Sequence, residues 1–116
     1  MDFQKAKDVC RSFPGATEDI KWGADVVFSV GEKMFMVTGA DAPQGMSFKV
    51  EDERFLELTD RPGIIPAPYL ARAKWVRVER ADALGDREAA ELLRRSYELV
   101  FAKLTKKLQR ELGSTE

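Results

Sequence analysis

The sequence predicts a two-layer α+β domain in which helices cover one face of a largely antiparallel sheet. Two observations support this fold class. A tight hairpin signal makes sequential strands antiparallel, and amphipathic helical patterns lie on both sides of it. The predicted order is helix, three strands, helix, one or two strands, helix. The 116 residues carry no linker or internal repeat, so we expect residues 1–116 to form one domain.

The first element is predicted to be a helix that follows an N-cap at Asp2. Apolar residues between Phe3 and Phe13 recur at helical spacing, and Pro14-Gly15 ends the pattern. The next stretch, residues 17–23, is mostly polar. We interpret it as a connection to the first strand.

The clearest local signal is a β-hairpin. Two apolar runs, residues 26–30 and 33–37, flank the two-residue turn Gly31-Glu32, and Gly at the first turn position favours type II′. This turn predicts that Phe28 and Phe35 pair on one face of the hairpin. The further predicted pairs are Val26 with Val37, Val27 with Met36, and Ser29 with Met34.

The middle of the chain alternates between short strands and a short helix. A third strand is predicted from Met46 to Val50, followed by a helix over residues 52–60 with Asp52 as its N-cap. Two prolines exclude both a helix and a central strand from residues 64–70, which we expect to be extended. Residues 74–80 predict a strand whose two valines point toward the core.

The last element is predicted to be one long helix from Asp86 to Leu112, about 40 Å at a rise of 1.5 Å per residue. Its apolar seam faces the sheet, and Gly113 ends it. One contiguous core is expected to contain Phe28, Phe35, Phe48, Val76, Val78, Leu93, Tyr97, Val100 and Leu104.

The composition excludes several function classes. Without any His, the chain cannot build a Ser-His-Asp or Cys-His catalytic site, or a zinc site that uses His. The lone Cys10 cannot form an internal disulfide and lies on the apolar side of the first helix. No apolar run approaches the ~20 residues of a membrane span, and no signal-peptide pattern opens the chain. We expect a cytoplasmic, non-enzymatic protein without cofactor or metal.

Short motifs lie along nearly the whole chain. They are Phe13-Pro14-Gly15-Ala16-Thr17-Glu18-Asp19, Trp22-Gly23, Val27-Phe28-Ser29-Val30, Lys33-Met34-Phe35, Ser47-Phe48-Lys49-Val50, Pro66-Ala67-Pro68-Tyr69, Trp75-Val76-Arg77-Val78 and Ser96-Tyr97-Glu98-Leu99-Val100. In this order they resemble the MmcQ/YjbR family of small bacterial proteins. The resemblance implies a CyaY-like or secretion-chaperone-like α+β fold and a DNA-binding function.

Positive charge is concentrated in two short segments of a chain whose net charge is −1. Residues 61–80 hold five cations against one carboxylate, and residues 103–116 hold four cations against two. Such local patches predict weak, salt-sensitive DNA binding without base reading. An aromatic residue beside them could stack on a base. The candidate nucleic-acid-binding residues are Arg72, Lys74, Trp75, Arg77, Arg80, Lys103, Lys106, Lys107 and Arg110.

Each of these features also has a purely structural interpretation. The lysines of the last helix could form a solvated face, and Trp75 could pack in the interior. The segment Pro66-Ala67-Pro68-Tyr69 could line a groove or could blunt an edge strand against aggregation. The acidic run Glu51-Asp52-Glu53 could hold a cation, but a helix first turn favours carboxylates for simpler electrostatic reasons.

The alternative function is a protein-interaction or chaperone-like module that does not bind DNA. This alternative rests on a second apolar side of the last helix, which is formed by Leu92, Leu99 and Phe101. If the subunit does not cover these side chains, we expect a symmetric homodimer to bury them.

Overall fold

The architecture of the chain was obtained as a computed structural model, which describes residues 1–23, 25–39 and 45–113. It confirms the α+β class and the predicted order of elements, with one additional strand near the start and the last helix divided in two. The helices are α1 (Phe3–Arg11), α2 (Asp52–Thr59), α3 (Asp86–Phe101) and α4 (Lys106–Gly113). The strands are β1 (Ala16–Lys21), β2 (Asp25–Val30), β3 (Lys33–Gly39), β4 (Met46–Lys49), β5 (Ile64–Pro66) and β6 (Trp75–Val78).

All six strands form one sheet in the order β1-β2-β3-β4-β6-β5, and every neighbouring pair is antiparallel. The helices lie on one face. Helix α3 packs on β2, β3 and β4, α1 lies against α3 and β1, and α2 covers β5 and β6. The second face of the sheet carries no helix among the described residues.

Strand β1 is the element that the sequence prediction missed. Residues 16–21 pair with β2 from Ala16↔Val30 to Lys21↔Asp25 and form one edge of the sheet. Five of the six residues are exposed, Ile20 to 67%. A strand exposed in this way needs no alternation of apolar and polar residues, so it has the composition of a connection.

The hairpin turn has the predicted length, but the register of the hairpin shifts at a bulge. Val30 pairs with Lys33 across Gly31-Glu32, and Ser29 pairs with Met34 as predicted. Beyond them the register shifts, and Phe35 is the additional residue of a bulge. Phe35 and the adjacent Met36 are both fully buried. The predicted pairs Phe28–Phe35, Val27–Met36 and Val26–Val37 are therefore wrong by one residue, and the observed pairs are Phe28–Met36, Val27–Val37 and Val26–Thr38.

The two turn residues have φ angles of +57° at Gly31 and +67° at Glu32. Positive φ at both positions is characteristic of a type I′ turn, so the predicted type II′ turn is wrong. Gly31 is required for a second reason: a Cβ there would lie 2.7 Å from the side chain of Leu104. The turn is therefore packed directly against the C-terminal part of the chain.

The predicted last helix, Asp86 to Leu112, is divided in two. Helix α3 ends at Phe101, and α4 starts after Thr105, whose hydroxyl accepts a hydrogen bond from the Leu108 amide at 3.2 Å. The Gln109 side chain donates to the last carbonyl of α3, that of Phe101, at 3.2 Å and to the carbonyls of Ala102 and Leu104 in the connection. Thr105 is thus an N-cap within a continuous apolar seam, and the seam conceals the break in the sequence.

The proline-containing segment is extended only at its start. Ile64–Pro66 forms edge strand β5, as the edge-strand interpretation predicts. The remaining residues, 67–70, make a turn closed by a hydrogen bond from the Leu70 amide to the Ala67 carbonyl at 3.1 Å. A short 3₁₀ helix, Ala71–Ala73, then leads into β6, which is shorter than predicted.

The predicted core is confirmed in full. All nine expected residues belong to one buried cluster between the sheet and the helices. The rings of Phe28 and Phe35 lie on the same face of the sheet with centroids 6.4 Å apart. Tyr97 packs edge-on against Phe35 and donates its hydroxyl to the Pro14 carbonyl at 2.5 Å.

A buried hydroxyl of α3 joins β3 to β4 where their pairing ends. The last paired residues are Met36 and Phe48. One step beyond them, the Ser96 hydroxyl donates to the Phe35 carbonyl at 2.7 Å and accepts from the Lys49 amide at 3.0 Å. Ser96 is fully buried, so it supplies the hydrogen bonds that the two strands no longer give each other.

Ser96→Ala should destabilise the fold by about 2–4 kcal/mol, because it leaves a carbonyl and an amide without partners. Urea unfolding measures the loss in the free energy of unfolding. Hydrogen exchange adds a local check: the Lys49 amide should exchange much faster, while amides between β1 and β2 should not. A loss below about 0.5 kcal/mol with unchanged exchange at Lys49 would show that the hydroxyl does not bridge the strands.

Candidate nucleic-acid interface

The antiparallel sheet has two ends, and the candidate cations are divided between them. The basic end is defined here by the turn Gly31-Glu32, the last residue of β4, Lys49, and the first residue of β6, Trp75. The far end holds Asp25, Met46 and the end of β6. The candidates at the basic end are Arg72, Lys74, Lys103, Lys106, Lys107 and Arg110.

Helix α4 lies across the basic end because three leucines seat it there. A Cβ at Gly31 would contact Leu104 and Leu108, and a Cβ at Gly15 would lie 3.1 Å from Leu112. Gly15 precedes β1 and Gly31 follows β2, and these two strand ends are paired. The break at Thr105 therefore directs the helix along the end of the sheet and leaves its cations in solvent.

Lys49 connects the two basic segments. Its ammonium group donates to the Ala73 carbonyl at 2.5 Å, which fixes it against the turn that carries Arg72 and Lys74. Burial lowers the pKa of Lys49, and the nearby charge of Lys103 lowers this pKa further, whereas Asp52 opposes the shift. Lys103 and the segment around Ala73 thus meet at one lysine that the sequence analysis did not single out.

Most cations of the basic end have no carboxylate partner. Within residues 1–23, 25–39 and 45–113, eight cations of this end form no ion pair: Lys33, Lys49, Arg72, Lys74, Lys103, Lys106, Lys107 and Arg110. By contrast, the arginines of α1, α2 and the second half of α3 are paired, as in Arg95 with Glu51 at 3.1 Å. Unpaired cations are the ones that can gain a phosphate without losing a partner.

Lys74 occupies a left-handed conformation, with φ of +63°, at the entry to β6. Its ammonium lies 5.1 Å from the centroid of the Phe55 ring. The Phe55 ring carries no net charge, so Lys74 adds positive potential to this end. The first turn of α2 also brings the carboxylates of Asp52 and Glu53 there, which reduces the excess of positive charge.

Trp75 is 5% exposed, so it offers no ring face to a base. It pairs with Lys49 on the face of the sheet opposite Val76 and the helices. The turn before β6 folds back over this strand, with the Ala67 amide donating to the Trp75 carbonyl at 3.0 Å. The structural interpretation of this tryptophan as an interior residue is therefore the observed one.

Arg77 and Arg80 lie toward the far end and are separated from the other candidates. Arg77 is half-buried, and its guanidinium lies beside Gly45. Arg80 is exposed and forms an ion pair with Asp82 at 3.2 Å. Three further unpaired cations of the described ranges, Lys7, Lys21 and Arg87, are scattered over α1, the far end of β1 and the start of α3.

Two exposed aromatic residues escaped the sequence analysis as separate candidates. Tyr69 is fully exposed and has a φ of +68°, and Trp22 is 69% exposed with a φ of +52°. Tyr69 lies in the turn between β5 and β6 at the basic end, whereas Trp22 follows β1 at the far end. Tyr69 follows directly after Pro68, which favours a turn at this place. An aromatic residue in a turn has no strand to pack on, and this is the signal that the sequence offers.

The acidic groups of α2 and α3 are organised as a salt-bridge network rather than a metal site. Arg61 contacts Glu57 at 2.6 Å and Glu88 at 2.8 Å, and hydrogen bonds from the guanidinium lower the pKa of Glu88. A cavity of about 290 Å³ beside this network is lined by Lys49, Val50, Glu51, Arg54, Glu88, Glu91, Leu92 and Arg95. Among the described residues, no three His, Cys, Asp or Glu side chains are grouped to hold a metal ion.

The apolar second side of the last helix is largely covered within the subunit. Leu92 is buried in the core, and Phe101 is half-buried with its ring 5.7 Å from that of Tyr97. Leu99 is also half-buried. The condition for the predicted homodimer, exposure of these three side chains, is thus not met.

No described helix is long and apolar enough to cross a membrane.

Comparisons with known proteins identify relatives of this fold. The sequence matches the family model YjbR over residues 11–99. DR2400, a Deinococcus radiodurans protein whose crystal structure carries the family domain DUF419, is 31% identical with a TM-score of 0.83, over 96% of this chain and 87% of that chain. A Pseudomonas syringae protein has the same fold at 22% identity, with a TM-score of 0.69, over 86% of this chain and 99% of that chain. None of the curated proteins matches significantly.

Cys10 is fully buried, and burial raises the pKa of its thiol to about 12. Since the thiolate is the reactive form, the native protein at pH 8 should react with Ellman's reagent on the order of 1,000-fold more slowly than the unfolded chain, whose thiol titrates near 8.5. Rapid stoichiometric labelling of the native protein would contradict this burial and would make Cys10 available for chemistry.

Proposed function

The chain belongs to the YjbR family, and we propose that this member binds nucleic acid weakly and without sequence preference through the basic end of its sheet. One observation carries the proposal: cations from two distant segments meet around Lys49, and most of them have no carboxylate partner. Phosphates are the common ligands of such a surface, because each bound phosphate neutralises a cation and releases condensed counterions.

The predicted weakness follows from the charge balance. The net charge of the chain is −1, so there is no global attraction toward a polyanion. Carboxylates of Asp52, Glu53 and Glu111 also border the cations. Binding should therefore depend on a few local contacts and fall steeply with salt.

The absence of sequence preference follows from the elements that present the cations. Helix α4 has eight residues and is seated on the protein by Leu108 and Leu112, so its cations face outward from a short, blunt surface. Contacts to phosphates position a ligand but do not read its bases.

The proposal includes no catalytic step, cofactor or metal, and it places the protein in the bacterial cytoplasm. The family resemblance and the lone, buried Cys10 support this placement. The same features support a binding protein rather than an enzyme.

A protein-interaction module is the second candidate, and edge strand β1 favours it. The outer edge of β1 is unpaired in the described structure, and two large side chains at its end, Ile20 and Trp22, are about two-thirds exposed. An exposed edge with apolar side chains can add a strand from another chain. This surface lies at the far end, so mutations distinguish the two candidates.

We expect the protein to bind a fluorescein-labelled duplex DNA of random sequence at low ionic strength, with affinity falling as salt rises. Lys106→Gln with Lys107→Gln should flatten the slope of log K against log salt by about 1.8, from about 0.9 per phosphate contact. Fluorescence anisotropy across a series of KCl concentrations gives this slope.

The matched control is Arg80→Gln with Arg87→Gln, which removes the same charge away from the basic end. This pair should leave the slope unchanged. Equal effects of the two double variants would show that binding follows net charge alone. If the wild type does not bind the duplex DNA at low ionic strength, the proposed nucleic-acid binding is wrong and the protein-interaction module is favoured.

A further inference from the structure

Tyr69 combines full exposure with a backbone conformation that large residues rarely adopt. Its φ of +68° lies in the left-handed region, where a side chain costs about 1 kcal/mol or more relative to the usual conformation. A fully exposed ring regains none of this cost by burial. A strained, exposed aromatic residue therefore calls for a role outside the fold.

The turn that carries Tyr69 is held firmly at the basic end. The Leu70 amide donates to the Ala67 carbonyl at 3.1 Å, and the Trp75 amide donates to the Leu70 carbonyl at 3.3 Å. Lys49 binds the same turn through the Ala73 carbonyl at 2.5 Å. The Tyr69 ring is thus presented from a fixed base rather than from a free loop, which lowers the entropy lost when a ligand binds it.

The surroundings of Tyr69 are cationic. Arg72, exposed and without an ion pair, lies three residues later in the 3₁₀ helix that follows the turn. Lys74 follows it, Lys49 of β4 donates to the Ala73 carbonyl, and Lys103, after the end of α3, lies close enough to Lys49 to lower its pKa. An exposed ring within a positively charged surface is the arrangement that binds single-stranded nucleic acid, in which cations track the backbone and the ring stacks on a base.

We propose that Tyr69 is a stacking platform for an unpaired base, so that the basic end prefers single-stranded to duplex nucleic acid. This inference rests on the proposed function and specifies its ligand. In a duplex both faces of an internal base are covered by its neighbours, so an aromatic ring gains little there. In a single strand a base can leave its neighbours and stack on tyrosine at small cost.

The other tryptophans and tyrosines are excluded by burial or by position. Trp75 is buried, and Tyr97, 6% exposed, is tied to Pro14. Trp22 is exposed and has a positive φ, but it lies at the far end. Trp22 therefore matches Tyr69 in exposure and conformation and differs from it in place, which makes it a control.

The test compares a labelled twelve-nucleotide oligo(dT) with a twelve-base-pair duplex at the same low ionic strength. Tyr69→Ala should weaken oligo(dT) binding about tenfold, the range for one stacked base, and duplex binding less than about twofold. Tyr69→Phe should stay within about twofold of the wild type because it keeps the ring. Trp22→Ala should change neither ligand's affinity.

The salt dependence adds a readout that a general loss of structure would not give. Stacking releases no counterions, so Tyr69→Ala should lower oligo(dT) affinity without changing the slope of log K against log salt. Tyr69→Gly, which suits a φ of +68°, should match the alanine variant and carries the test if that variant is unstable.

The outcomes separate this inference from the function on which it rests. Salt-sensitive binding of both ligands with no effect of Tyr69→Ala, or with equal effects on both, would overturn the stacking role and leave the proposed function standing. Equal or tighter binding of duplex by the wild type would do the same. No binding of either ligand at low ionic strength would overturn both.

Discussion

The placement of the candidate surface depends on one buried hydroxyl. Where β3 and β4 cease to pair, Ser96 accepts from the Lys49 amide and donates to the Phe35 carbonyl, so α3 is joined to both strands at the same point. The bulge at Phe35 lets two adjacent apolar residues enter the core while the strand ladder opens. A serine at this position satisfies both backbone groups, which would otherwise be buried without partners.

This junction determines what lies beyond the end of the sheet. With α3 anchored at Ser96, the connection that follows it carries Leu104 to the hairpin turn, where Gly31 leaves room for it. Thr105 then starts α4, which crosses the sheet end toward Gly15. Lys103 is brought near Lys49, and Lys49 holds the turn that displays Tyr69. Packing and backbone hydrogen bonds thus hold the cations near one another, although the cations repel each other.

Periodicity in the sequence was sufficient to predict the α+β class, α1 and all nine core residues, because burial imposes a period on each of these elements. The position of the hairpin turn followed from Gly31-Glu32 between two apolar runs, whereas its type did not. It could not predict β1, whose side chains are nearly all exposed, or the break at Thr105, which the apolar seam crosses without interruption. The basic candidates were recognised by composition, but their division between two ends depends on strand register. The bulge at Phe35, the burial of Trp75 and the role of Lys49 are tertiary features that no local pattern encodes.

The central claim is that ligand contacts gather at the end of the sheet that holds Lys49. Amide chemical-shift mapping with oligo(dT) at low ionic strength tests it directly, because both ends of the sheet carry backbone amides that report on a bound ligand. We expect the perturbed amides to cluster in residues 31–33, 49, 69–74 and 102–110. Shifts confined to residues 19–23, 45–47 and 77–82, or none at saturating ligand, would contradict the claim.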